Sequence, residues 1–186
     1  MSIYTEITGH VAEGRLFRVL PPLPRVGVPV RRMFLSPAIN ALIQGPWDSI
    51  GDLNAQGWED RCYGLRNDLD NFTDGSFIVT ATDKLHSKKE CYLKRLKPRD
   101  DEVWEIRSCE PLPQLRVFGR FAKKDLFVGL TWALRPELLD NLSFEGTQAW
   151  RRAMVECATE WRRLFPSYPA LSGASIHDHV SNAFLV

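Results

Sequence analysis

The sequence predicts an α+β domain with N-terminal helices, an antiparallel sheet of three or more strands, and a long C-terminal helix packed on one face. Two observations carry that prediction. Between residues 77 and 132 apolar and polar residues largely alternate, and most of these stretches are joined by short polar turns. Strands joined so tightly must pair antiparallel, because a parallel crossover needs roughly a dozen residues or more. Further along, Trp150, Ala153, Met154, Cys157, Ala158, Trp161, Leu164 and Phe165 recur at helical spacing. Charged residues fill the other side, so this helix has to bury one face on the sheet. Pro166 stops it.

Taken in order, the chain begins with two β-like stretches, Arg15–Leu20 and Val28–Leu35, around the connection Pro21-Pro-Leu-Pro-Arg-Val-Gly-Val-Pro29. Proline fixes φ and removes a donor, so this connection reads as a stiff turn and not as a central strand. Ser36-Pro37 supplies an N-cap and a first helical residue, and the helix should end near Gly45-Pro46. A second helix follows, with Trp58, Cys62, Leu65, Leu69 and Phe72 as its apolar stripe. Glu59, Asp60, Arg61, Arg66, Asp68 and Asp70 are read as its solvated face. Candidate strands are Phe77–Ala81, Cys91–Leu96, Val103–Arg107, Leu115–Phe121 and Leu126–Trp132. The tail, Ser167–Val186, shows no clear period.

Composition sets the outer bounds. The chain of 186 residues is 44% hydrophobic and 25% charged, enough for a core without disulfides or a structural metal. A net charge of +1 leaves any nucleic-acid affinity to a local patch. No apolar run is long enough to span a membrane, and the first residues show no secretory signal core. The expectation is a cytoplasmic protein with no membrane partner. Cys62, Cys91, Cys109 and Cys157 form no CxxC and have no nearby histidine. They read as free, mostly buried thiols of a reducing compartment.

Four segments carry a resemblance: Leu93-Lys-Arg-Leu-Lys97, Val103-Trp-Glu-Ile-Arg107, Gln114-Leu-Arg-Val-Phe-Gly-Arg-Phe121 and Asp125-Leu-Phe-Val-Gly-Leu-Thr-Trp-Ala-Leu-Arg135. Their order and spacing resemble the RelE/ParE/HigB-like toxin superfamily, in its phage-derived HigB-like branch, over residues 91–135. The resemblance implies an N-terminal extension with β-like stretches over 1–35 and a RelE-like α+β domain with a C-terminal tail over 36–186. The paired-lysine turn usual in that branch is replaced here by Thr131-Trp-Ala-Leu-Arg-Pro-Glu137.

Alternation places Trp104 and Ile106 on one face of their strand, with Glu105 and Arg107 on the other. If the apolar set packs on the helices, the other face of the sheet is free and presents Glu105, Arg107, Arg116, Phe118 and Arg120. Residues 88–124 hold 11 Lys/Arg against 6 Asp/Glu. Basic groups beside an aromatic suit single-stranded RNA, and metal-free cleavage needs a base together with cations for the charge growing on phosphorus. The candidate catalytic residues are Glu105 as base, with Arg107, Arg116 and Arg135 as phosphate ligands. Arg107 and Arg116 match the motif positions of the family. Candidate RNA-binding residues are Lys94, Arg95, Phe118 and Arg120. A plainer reading makes Glu105 and Arg120 members of cross-strand ion pairs.

His177-Asp-His179 is read as a pair of solvated tail histidines in preference to a metal site, since no third ligand is near in sequence. No metal or cofactor is implied. The resulting expectation is a toxin-like RNA-binding protein acting as a metal-independent mRNA endonuclease of a toxin-antitoxin system, with RNA or the ribosome and an antitoxin as partners. The alternative is a non-enzymatic protein-binding module, or a mobile-element accessory or inhibitor protein.

Overall fold

The structure is a computed structural model that describes residues 2–20, 31–47, 54–81, 91–138 and 148–185. The helices are α1 (Ile3–Ala12), α2 (Pro37–Gln44), α3 (Ala55–Thr73), α4 (Gln148–Leu164) and the single turn α5 (Ile176–His179). The strands are β1 (Phe17–Val19), β2 (Arg32–Leu35), β3 (Ile78–Ala81), β4 (Leu93–Arg95), β5 (Trp104–Ser108), β6 (Leu115–Lys123), β7 (Leu126–Leu134) and β8 (Ala183–Leu185). All eight join one curled sheet in the order β1-β2-β7-β6-β5-β4-β3-β8.

This corrects the expected fold class, an antiparallel sheet of three or more strands with a long C-terminal helix on one face. The sheet is mixed: β2 runs parallel to β7, and β3 runs parallel to both β4 and β8. The antiparallel run β4-β5-β6-β7 forms only its middle. Residues before 36, read as an extension, supply β1, β2 and the buried side chains Ile3, Ile7 and Leu16. The proline-rich connection lies outside the described residues.

Both faces of the sheet are covered. On one, α2 and α3 bring Ile39, Leu42, Trp58, Leu65 and Phe72 against Trp104, Ile106, Val117 and Phe127. On the other, α1 and α4 bring Ile7, Met154, Cys157 and Trp161 against Phe34, Phe118, Val128 and Leu130. The face expected to be open therefore lies under α4. β6 and β7 change register between Phe118 and Gly119. A Cβ at Gly119 would collide with the Val128 carbonyl oxygen and the Phe127 ring, so only glycine lets the two strands approach there.

Local chemistry explains the elements. Ser36 caps α2, its Oγ accepting from the Ile39 amide at 3.4 Å, and Pro37 begins the helix. Ser2 does the same for α1, accepting from the Thr5 amide. The turn between β6 and β7 has Asp125 in the left-handed region, φ 60°. Its carboxylate accepts from the Ser181 amide and hydroxyl at 2.7 Å each, which ties the tail to the sheet. Among the described residues no helix is long and apolar enough to cross a membrane.

The tail is folded, not solvated. His179 is fully buried, tilted against Trp104 and edge-on to Phe121, with Nε2 3.4 Å from the Glu102 carboxylate. Glu102 also pairs with Arg95. Asp178 and Ser175 close a capping box over α5, and His177 stays exposed. Among the described residues no group of three metal-ligating side chains forms.

Trp161 sits at the centre of the second core, and its indole Nε1 donates to the Tyr168 carbonyl at 2.9 Å. Trp161→Ala is expected to cost about 3–5 kcal/mol by leaving a cavity. Urea unfolding of the two proteins checks this, and a difference under about 1 kcal/mol would mean that α4 is not packed as described.

Candidate functional site

The register of β5 on β6 builds a charged cluster at one end of the sheet. Arg107 lies directly across from Arg116, and Glu105 across from Phe118. Like charges opposite one another on a sheet repel. Here Glu105, on the same face, answers both. Its Oε1 is 3.7 Å from Arg107 Nε and its Oε2 is 3.5 Å from Arg116 Nε. These are ion pairs too long to be hydrogen bonds.

Arg116 is fully buried and held by oxygens around it. Its guanidinium donates to the Leu115 carbonyl at 2.8 Å, the Ser108 carbonyl at 3.4 Å and Gln114 Oε1 at 2.8 Å. Gln114 also accepts the Arg135 amide on its own carbonyl at 2.7 Å, which places Arg135, at the end of β7, beside the cluster. The Arg135 guanidinium lies 5.6 Å from the Trp150 ring of α4. The sequence-predicted set Glu105, Arg107, Arg116 and Arg135 is thus brought together. It is not on an open face: Glu105 is 3% exposed and Arg116 0%.

The electrostatics follow the geometry. Burial lowers the Arg116 guanidinium from its ordinary value, with Glu105 opposing and Arg107 adding to the shift. Burial lowers Arg135 as well, against the pull of Glu105. For Arg107 burial acts downward, but Glu105 and the Cys91 sulfur outweigh it and the net direction is up. Arg107 Nη1 donates to Cys91 Sγ at 2.9 Å.

The four residues expected to bind RNA are dispersed. Phe118 is fully buried, edge-on to Trp150 at 5.6 Å. Arg95 is buried, donates to the Gly173 carbonyl and pairs with Glu102. Arg120 donates to the Asp101 carbonyl and lies over the Trp161 ring. Lys94 is half-buried on the short strand β4. The first three tie elements together, and Phe118 as placed offers no ring face to a base.

Beside the cluster, a cleft of about 390 Å³ opens between α3 and the β4-β5 end of the sheet, with Arg107 in its wall. Asn67, Asp68, Tyr92, Cys109 and Glu110 complete much of the lining. The Tyr92 hydroxyl donates to the Asp68 carbonyl oxygen at 2.6 Å. Burial raises the Asp68 carboxyl, with the Ser108 hydroxyl opposing, and burial pushes the Tyr92 phenol well up. A Cβ at Gly64 would come within 2.6 Å of the Glu110 carbonyl oxygen, so glycine sets how closely α3 approaches this loop.

One turn before Gly64, Arg61 is fully buried, and its three guanidinium nitrogens find no hydrogen-bond partner among the described residues. Burial lowers it, and Glu110 opposes that shift. This corrects its assignment to the solvated face of α3. The helical arithmetic already contained the signal: position 61 is 58+3 and 65−4, on the apolar stripe. All four cysteines are free thiols, and only Cys109 is more than marginally exposed.

No protein-family model, curated protein or solved structure matches this chain.

Glu105→Ala would leave Arg116 buried without its carboxylate, and breaking a buried pair from one side typically costs about 3–5 kcal/mol. Chemical denaturation checks this. A variant as stable as the wild type would show that Glu105 does not hold the cluster together.

Proposed function

We propose that the protein is a toxin-like RNA-binding protein of the cytoplasm, that the arginine cluster with Arg107 at its rim holds a backbone phosphate, and that it cleaves mRNA without a metal. The single observation that supports this reading is the convergence of three guanidinium groups on one carboxylate beside a cleft. Guanidinium forks match phosphate oxygens bidentately, and burial strengthens such contacts. The four free thiols are in keeping with a reducing compartment. In this reading Arg107 and Arg135 take phosphate oxygens, Arg116 positions Glu105, and Glu105 accepts the 2′-hydroxyl proton when the cluster opens to substrate. The resemblance of residues 91–135 to the HigB-like toxins adds an antitoxin as a partner.

A second reading has its own observation. Glu105 and Arg116 are closed off as the chain stands, and Phe77 and Phe184 stack in the open at the β3-β8 edge of the sheet, 4.9 Å apart and 66% and 56% exposed. Exposed aromatics on an edge suit a non-enzymatic protein-binding module.

Expression in a bacterial host separates the two. The toxin reading expects slowed growth and shortened mRNA, both relieved by Arg107→Ala with the fold intact by circular dichroism. Loss of one charge-assisted phosphate donor is expected to reduce cleavage about 100- to 1,000-fold, by analogy with an oxyanion-hole donor. RNA affinity should fall as salt rises. A harmless protein that binds no RNA and captures a protein partner instead would leave the binding-module reading standing.

A further inference from the structure

Apart from the arginine cluster, the C-terminal tail carries a device of its own, built on His179. The ring of this residue is enclosed by oxygens. Its Nδ1 lies 3.1 Å from the Ser175 carbonyl oxygen. Its Nε2 lies 3.3 Å from the Leu171 carbonyl oxygen and 3.4 Å from the Glu102 carboxylate. A neutral imidazole has one N–H and one lone pair, and only the imidazolium has two N–H donors. Either neutral tautomer therefore sets a lone pair against oxygen, at Ser175 in one and at Leu171 and Glu102 in the other. The charged ring meets both sides with a donor. No water can stand in, since His179 is fully buried.

Two effects oppose a charge here. Burial is one, and Arg95 is the other, because it pairs with the second oxygen of the same Glu102 carboxylate. Three observations act the other way. Glu102 is itself buried and within ion-pair distance of the ring. The Trp104 ring lies 4.8 Å from the His179 ring, close enough for a cation–π attraction. The loop 171–175 supplies two of the three oxygens, and Gly173 lets it close on the ring. A Cβ there would come within 2.9 Å of His179 Cε1 and 2.6 Å of Asp178 Cβ.

The other charged groups around the ring are already occupied. Asp178 closes the capping box with Ser175. Asp125, from the β6-β7 turn, donates its amide to the His179 carbonyl and holds Ser181 with its carboxylate. Arg120, from β6, acts on Glu102 and donates to the Asp101 carbonyl. We infer that His179 is held as an imidazolium in the folded chain and is a proton-operated latch, which releases α5 and the adjoining β8 when the ring loses its proton. A latch that needs the charged ring is closed at lower pH and opens as the pH rises. Opening frees the edge of β3, where β8 now pairs, for another strand.

Long-range proton–nitrogen NMR correlations of the full chain test the first half, with His179→Gln assigning the signals. At about pH 7 both His179 nitrogens are expected to carry protons. A ring with one bare nitrogen at that pH would overturn the inference, whatever the variants do. Hydrogen exchange of the tail peptides, corrected for the intrinsic pH dependence of exchange, tests the second half. Protection of α5 and β8 is expected to fall at least about tenfold as the His179 signals titrate to the neutral form. Glu102→Gln should move that fall to lower pH, and His179→Gln should abolish the pH dependence. Protection that stays constant through the titration, or a fall that His179→Gln retains, would overturn the latch.

Discussion

The packing of α4 over β6 and β7 constrains everything around the candidate site. That helix closes the second face of the sheet with Met154, Cys157, Trp161 and Leu164. Once the face is closed, any charged residue on it must either reach the rim or find a partner indoors, because an unpaired buried charge is very costly. Arg120 answers with the Asp101 carbonyl and the Trp161 ring, and Arg116 with two carbonyls, Gln114 and Glu105. Arg107 lies near the C-terminal end of β5, where it serves both the ion pair and the cleft. The cluster is thus a consequence of covering a basic strand pair with a helix.

This arrangement limits the chemistry. A carboxylate that is 3% exposed and lies between two guanidinium groups does not meet a ribose hydroxyl without rearrangement. Phosphate binding at the rim asks less of the fold than catalysis at Glu105, since Arg107 is already at the cleft. Binding is therefore the part of the proposed function that the geometry supports most directly, and cleavage requires the cluster to open.

Much of the local structure was legible from sequence, because period and capping are local properties. The stripe Trp58–Phe72 marked α3, Ser36-Pro37 marked the start of α2, and the alternation after residue 91 marked β4 to β7. The convergence of Glu105, Arg107, Arg116 and Arg135 was also readable, since tight turns fix which residues face each other. What was not legible is non-local. Nothing in Arg32–Leu35 announces a parallel partner in Leu126–Gly129. Nor does alternation along β6 say that its second face meets a helix, because Arg116, Phe118 and Arg120 look the same in solvent as under α4. His179 was missed for a related reason: its partner Glu102 lies far away in sequence, and a short tail shows no period.

The central claim is that Arg107 and its neighbours form an anion site. Thermal unfolding of the wild type and of Arg107→Ala, in rising inorganic phosphate against chloride at equal ionic strength, tests it most directly. A ligand that binds the folded chain raises Tm with its concentration. An anion site at Arg107 predicts a phosphate-dependent rise in the wild type that Arg107→Ala loses. An equal rise in both proteins would be the general salting effect of phosphate, and that result, or no rise in either, would mean that Arg107 does not hold an anion.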